Sequence, residues 1–428
     1  MKKINYLLLF LVISIISCQS GRVKDENAGN KNQKSAPVLV NENIRTRIDS
    51  ALKSMVQSGK IAGVSALIYE KDKEVYYKAF GFADREAKTE MDRNTAVRIY
   101  SMTKPITGTA LMQLFEKGAF ELDDPLSKYA PEFADMKVFA GVDDAGNIKT
   151  EPVHRPITIR DLTRHTAGFA GEEHPVLGEL VKKADALNKT NTLSEMAKKL
   201  SSLPLAFQPG EEWGYGVSVD VQAYLVELLS GKAFDEYIKE NILDPLGMEN
   251  TAYVPIDFKK LAAVYQMGDD RQLKRIPDEQ ANVFNRQSWP LKPGGWGLTS
   301  TLDDYMNFAR MLLNDGRFNN TEILKEETVK LMSTNQLAES VTERMWLPTK
   351  GQVGFGIDFA VRIDPPMTAE ENNGVVGEFF WDGAASTLFW VDPKNEITAV
   401  FFVQKLPFDG ELHKIFRDAV YGKFDDLK

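Results

Sequence analysis

Apolar positions recur every three to four residues from Asn43 to Ser58, the spacing of a helix with one buried face. Two runs rich in β-branched and aromatic residues follow, Gly63 to Tyr69 and Glu74 to Gly81. They are joined across Lys71-Asp72-Lys73 and read as a hairpin. From Ser101 to about Phe284 the pattern turns mostly helical with long loops, including Leu193 to Leu203, Val219 to Gly231 and Ala233 to Ile242. Leu302 to Leu313 predicts another helix, with Ser300 or Thr301 as its cap, Asp303 and Asp304 in the first turn and Gly316 as its stop. Short β runs return at Val375 to Phe380, Ser386 to Val391 and Glu396 to Gln404, before a last amphipathic helix from Glu411 to Tyr421. Strands at both ends with helices between them predict an α/β architecture of the α+β type. One antiparallel sheet is built from both chain ends (about 41–100 and 285–428), with a mostly helical region (about 101–284) inserted.

The first 40 residues follow a different pattern. Met1-Lys2-Lys3 is positive, and Leu7 to Ile16 is an apolar run of signal-peptide length, too short to cross a bilayer comfortably. It ends at Ile15-Ile16-Ser17-Cys18, which resembles a bacterial lipoprotein box. Residues 1–17 are therefore expected to be a lipoprotein signal peptide, and Cys18 the lipidated start of the mature chain. Gln19 to about Pro37 is polar and without aromatics, a composition that cannot bury enough surface to order itself. Residues 18–40 thus read as a flexible tether and 41–428 as the folded domain. The expected location is the periplasmic side of a bacterial membrane, or the outer membrane and cell surface, with the lipid as the membrane contact. Cys18 is the only cysteine, so no disulfide is expected although an exported protein could hold one.

The formal charge of −9 and the lack of any Lys/Arg stripe argue against nucleic acid as a partner. The histidines, His154, His165, His174 and His413, lack ligand spacing, so neither a metal nor another cofactor is expected.

Chemistry enters at Ser101-Met102-Thr103-Lys104. Residues three apart on a helix share a face, so the hydroxyl and the amine can meet. A serine hydroxyl becomes a competent nucleophile only when an adjacent base takes its proton, and a buried lysine can serve. The spacing alone decides little, because Ser50-Ala51-Leu52-Lys53 repeats it within the charged amphipathic stretch Asn43 to Met55, where it reads as a solvated helix face. Ser101 differs in its context. It follows the strand-like Val97-Arg98-Ile99-Tyr100 and opens a helix that runs to Gly118, with Ile106, Ala110, Leu111, Leu114 and Phe115 on the apolar face. Pro105 fits only the first turn of such a helix. Locally, an ordinary N-cap serine would look the same.

Two later segments offer partners. Tyr215 stands in the glycine-flanked loop Pro209 to Ser218, where its phenol can reach a cavity and share a proton with a lysine. In Trp381-Asp382-Gly383-Ala384 the glycine permits close backbone approach, and the N–H of Ala384 together with that of Ser101 would form an oxyanion hole. No G-x-S-x-G elbow is present.

Taken in order, Ser101-Met102-Thr103-Lys104, Tyr215-Gly216-Val217 and Trp381-Asp382-Gly383 resemble the serine β-lactamase and penicillin-binding-protein family. The nearest likeness is to class C β-lactamases and the related esterases. The likeness extends from about residue 41 to the C-terminus through Ile159 to Gly168, Pro245 to Met248 and Gly294 to Thr301. It implies that Ser101 is acylated, that Lys104 and Tyr215 share the proton work, and that the backbone N–H groups of Ser101 and Ala384 hold the oxyanion. His165 is then structural, and the Gly294-Gly295 segment is a turn. Val217, Trp381, Asp382 and Gly383 are the implied substrate-binding residues, with Trp381 lining the site and the other tryptophans mostly core. Two departures bear on substrate. Val217 stands where class C enzymes carry an amide, and Trp381-Asp382-Gly383 replaces Lys-Thr-Gly. A tryptophan and an aspartate offer no cation to a drug's carboxylate, whose charge-assisted bonds are worth about 1.5–3 kcal/mol each.

The reading is an exported serine hydrolase, an esterase acting on a small ester or amide. Its alternatives are weak β-lactamase or D,D-peptidase action on cell-wall peptides, and a non-catalytic binder that kept the fold. The oligomeric state is not written in the sequence.

Overall fold

The computed structural model describes residues 38–424. The leader, Cys18 and nearly all of the tether lie outside them. The first strand, Gly63–Glu70, pairs antiparallel on one side with Lys73–Asp84 and on the other with Ile397–Phe402 from the far end of the chain. The sheet continues from Ile397–Phe402 through Leu388–Asp392, Phe379–Asp382 and Ala360–Arg362 to Val353–Phe355, and ends on the opposite edge at Thr89–Glu90. All of these pairings are antiparallel, as the distribution of β runs predicts.

Both faces of this sheet are covered. The helices Glu42–Gln57 and Gly410–Tyr421 lie together on one face, tied by Arg47, which donates to the carbonyls of Ala419 and Val420 at 2.7 and 3.2 Å. Trp390 and Phe401 point to that face and meet the Phe416 ring at 5.3 and 5.0 Å. Phe389 points the other way, 5.0 Å from Tyr305 on the helix Leu302–Leu313, and Thr398 reaches Met306 on the same helix. Double coverage explains why Ile397–Phe402 is buried at every position instead of alternating.

The predicted helices stand with shifts of a few residues, at Leu193–Ser201, Ser218–Ser230 and Phe234–Ile238, the last continuing into a π turn. Two sequence expectations need correction. The strand expected at Val375 to Phe380 begins only at Phe379 and runs to Asp382. Gly377 takes a left-handed φ of 91° in a turn that the Glu378 N–H closes on the Val375 carbonyl, and the Glu378 carboxylate beyond it is fully buried against Arg362 and Arg417. The inserted region is also less purely helical than its pattern implies, since Lys137–Val142 and Ile148–Pro152 form a hairpin in it.

Phe401 is fully buried between Phe416 and the central strands. Phe401→Ala should lower the free energy of unfolding by about 3–5 kcal/mol, and Phe401→Leu by about 1 kcal/mol, read from urea denaturation of the purified protein.

Candidate active site

The placement of Ser101 follows from how the chain enters its helix. Val97–Arg98 pairs with Thr299–Ser300, and the chain then tightens into the 3₁₀ turn Tyr100–Met102, which runs straight into the helix Thr103–Glu116. Tyr100 has a φ of 46°, a left-handed conformation that costs energy for a residue with a side chain. Ser101 is left half-exposed at the head of the helix. It is not the cap: Met102 holds that position, with no side chain closing it. The second Ser-x-x-Lys pair behaves as a helix surface, because Ser50 donates to the Thr46 carbonyl while the Lys53 ammonium lies over the Phe80 ring.

Lys104, 4% exposed in the first turn, brings Nζ within 3.3 Å of Ser101 Oγ and donates at 2.7 Å to the carbonyl of Gly295. The N–H of the same glycine donates at 3.0 Å to Asp220 Oδ1. One residue, Gly295, thus bridges the Lys104 amine and a buried carboxylate through its carbonyl and its N–H. A side chain there would crowd both groups, since a Cβ would lie 3.1 Å from Asp220 Oδ2 and 3.2 Å from Lys104 Nζ. Burial pushes the Asp220 carboxyl from its ordinary 3.8 up to about 6, against the pull of Lys104 and of backbone N–H groups. Asp358, which accepts from Gln222 Nε2 at 2.9 Å, is pushed well above the usual carboxylate range by burial, against the pull of Gln222 and Lys104. Above about pH 6, Asp220 is therefore the ionised carboxylate next to Lys104.

Tyr215 stands on the loop before the helix Ser218–Ser230. The Lys104 ammonium lies 4.5 Å from its ring centroid, and its phenol oxygen accepts from Trp381 Nε1 at 3.3 Å. Beneath the ring lies His165, at a centroid distance of 4.7 Å. Burial, with Lys104 nearby, holds that imidazole well below its usual range, so it is neutral. The His165 carbonyl accepts the N–H of Gly214, and this fixes the entry to the tyrosine loop. The segment bearing His165 is braced by Asp161, which accepts from Arg155, Arg164 and Thr166 and closes a capping box with Thr158. His165 supports Tyr215 by packing, as the sequence reading expects.

Ser101, Tyr215, Asp382 and Ala384 line one cavity of about 350 Å³, which Trp346, Thr349, Lys350 and Phe408 complete. Gly383 makes this closeness possible. A Cβ on it would lie 2.5 Å from the Ile99 carbonyl, so the turn after Phe379–Asp382 presses against the chain just ahead of Ser101 and leaves Ala384 exposed beside it. Trp381 is fully buried behind Tyr215 and Trp346 and backs the cavity wall. Val217 is half-buried, packs on the core and stands at the N-cap of Ser218–Ser230, outside the cavity lining.

The expectation that the Trp381-Asp382-Gly383 strand brings no cation holds for the strand itself but not for the cavity. Lys350, from the 3₁₀ turn Leu347–Lys350, reaches in and forms a buried ion pair with Asp382. Nothing in its local sequence marks it. Asp220 carried a faint signal, as an acid on an otherwise apolar stretch of helix five residues after Tyr215. Gly295 was read as a turn only, yet its peptide also holds Lys104.

The family model described as Beta-lactamase matches residues 48–421. Protein Rv1367c of Mycobacterium tuberculosis is 31% identical over 364 residues, which cover 84% of this chain and 89% of that protein. The lovastatin esterase of Penicillium rubens is 28% identical over 422 residues, covering 89% and 99%. Among solved structures, "EstCE1, a hydrolase with promiscuous acyltransferase activity" superposes with a TM-score of 0.74 at 26% identity, covering 89% of this chain and 99% of that one.

Asp220 gives the site a pH signature. Its raised pKa means the folded protein holds this proton more tightly than the unfolded chain, so its contribution to stability falls as pH rises from about 4 to about 6. His413, pushed from 6.5 down to about 4 by burial, acts in the opposite direction between those two values. Comparing Asp220→Asn with the parent protein cancels the histidine. The variant's stability relative to the parent should rise across pH 4 to 6 and then level off, measured by thermal unfolding at a series of pH values. A pH-independent difference would show that Asp220 does not titrate in this window.

Proposed function

The chain belongs to the Beta-lactamase family, and within it we propose a carboxylic ester hydrolase that works through an acyl-Ser101 intermediate. Its class as a serine hydrolase is supported by the family and by its esterase relatives. The observation that carries the finer reading is the 3.3 Å approach of Lys104 Nζ to Ser101 Oγ at a cavity shared with Tyr215 and Ala384.

In this reading Ser101 Oγ attacks the ester carbonyl carbon, and its proton passes to the Lys104–Tyr215 pair. The developing oxyanion accepts from the N–H groups of Ser101 and Ala384, and losing one such donor typically costs about 10²–10³ in rate. The pair then protonates the departing alkoxide. Water attacks the acyl-serine and gives its proton to the same pair, which returns it to Ser101 Oγ as the carboxylic acid leaves. Asp220 supplies the counter-charge behind Lys104 throughout. The rings of Trp346 and Phe408 on the cavity wall favour an apolar substrate. The description of EstCE1 supports a second fate for the same acyl-enzyme, transfer to an alcohol in place of water.

The proposal extends to the N-terminus, where Met1-Lys2-Lys3, the apolar run to Ile16 and Ser17-Cys18 support export and a lipid on Cys18 as the membrane anchor.

Two experiments test these readings. Intact-mass spectrometry after exposure to a fluorophosphonate, p-nitrophenyl butyrate or a penicillin should show fluorophosphonate labelling at Ser101, with ester turnover and no lasting penicillin adduct. Ser101→Ala should abolish labelling and turnover, and full retention of either would overturn the assignment. Cys18→Ser should move the protein from the membrane to the soluble fraction on cell fractionation, and continued membrane association would point to another anchor.

A further inference from the structure

The Lys350–Asp382 pair lines the same cavity as Ser101, yet no step above uses it. Both side chains are under a tenth exposed, at 6% and 9%. The ammonium lies 4.1 Å from the Phe408 ring centroid, 5.4 Å from that of Trp346 and 5.8 Å from that of Trp381. It is a cation boxed by three aromatic faces, with one carboxylate to cancel it. His413 approaches the same Asp382 oxygen at 3.9 Å, but burial keeps its imidazole neutral above about pH 4, so it does not compete for the carboxylate.

A buried ion pair presents a dipole to the cavity and no net charge. An anionic group lodged there would meet the Asp382 carboxylate together with the ammonium, and would be stripped of water for little return. The backbone that carries Asp382 is fixed, since it pairs with Leu388 in the sheet and the neighbouring Gly383 is pressed against the Ile99 carbonyl, and the buried ion pair holds its side chain against the ammonium. The lysine is thus correctly placed to bind a carboxylate and is kept from doing so by its own partner.

We propose that Lys350 is a latent carboxylate-binding cation and Asp382 its built-in counter-ion, so that this pair sets the charge preference of the substrate cavity. The proposal rests on the ester-hydrolase reading and adds a residue-level determinant to it. Removing the carboxylate while keeping the cation should convert the wall into an anion site. Removing the cation while keeping the carboxylate should convert it into a site for cations.

The test compares kcat/KM for p-nitrophenyl butyrate, for the mono-p-nitrophenyl ester of glutaric acid, and for the p-nitrophenyl ester of 4-(trimethylammonio)butanoic acid. Asp382→Asn should raise the anionic-to-neutral ratio at least tenfold, with the gain shrinking as salt is added and vanishing in Asp382→Asn/Lys350→Met. Lys350→Met alone should raise the cationic-to-neutral ratio instead, which keeps the proposal testable if Asp382→Asn fails to fold. Binding of free glutarate, measured by calorimetry, should appear in Asp382→Asn and be absent from the parent and the double variant. Unchanged ratios in folded variants would overturn the proposal, as would an anionic gain that survives in the double variant. Loss of the ester-hydrolase reading would show separately, as absent turnover of the neutral ester and absent fluorophosphonate labelling in the parent. The glutarate titration would still decide the role of Lys350.

Discussion

The candidate site is organised around the burial of one ammonium group. Taking Lys104 out of water costs several kcal/mol unless other groups compensate, and the compensation comes from distant parts of the sequence. The Gly294-Gly295 loop gives a carbonyl, the helix Ser218–Ser230 gives Asp220, and Ser101 lies on the remaining side. Thr107, one turn further along the helix, donates to the Gly294 carbonyl at 2.7 Å and holds the loop in register. The segments that meet at Lys104 are those that hold it against Ser101, so compensating the buried amine and placing it beside the Ser101 hydroxyl are achieved by the same contacts.

A second constraint comes from the sheet. Pairing of Gly63–Glu70 with Ile397–Phe402 joins the two ends of the chain, and successive antiparallel strands carry the pairing out to Phe379–Asp382. The turn after that strand can lie against Ile99 only because residue 383 has no side chain. Ala384 therefore reaches Ser101 through the register of the whole sheet, and no local motif could have set that distance.

This division explains what could be read from the sequence. Ser101 and Lys104 are three residues apart, so their meeting is a local matter that spacing announces. Tyr215 was visible through its glycine flanks, and the two-ended sheet through its β runs. Asp220, Lys350 and Trp346 act through contacts far away in sequence, and their neighbours show only a helix or a polar loop. The late start of Phe379–Asp382 was hidden for a similar reason. The turn at Gly377 interrupts the run, and the Glu378 side chain beyond it is committed to Arg417, 39 residues away, and to Arg362. The placement of Trp381 was half legible: it belongs to the site, but as the backing of Tyr215 through an indole N–H bond.

The turn Leu347–Lys350 lies outside every strand of the sheet and every helix that carries Ser101, Lys104 or Tyr215. One part of the cavity lining, Trp346, Thr349 and Lys350, is therefore encoded in a stretch of chain separate from those that carry Ser101, Lys104 and Tyr215. Loops of this kind tolerate exchange far better than the elements they join. A lineage carrying this architecture can try new pocket linings by altering a handful of residues around 346–350. The sheet register and the lysine cradle stay untouched, so the arrangement of Ser101, Lys104 and Tyr215 is kept while the pocket around it changes.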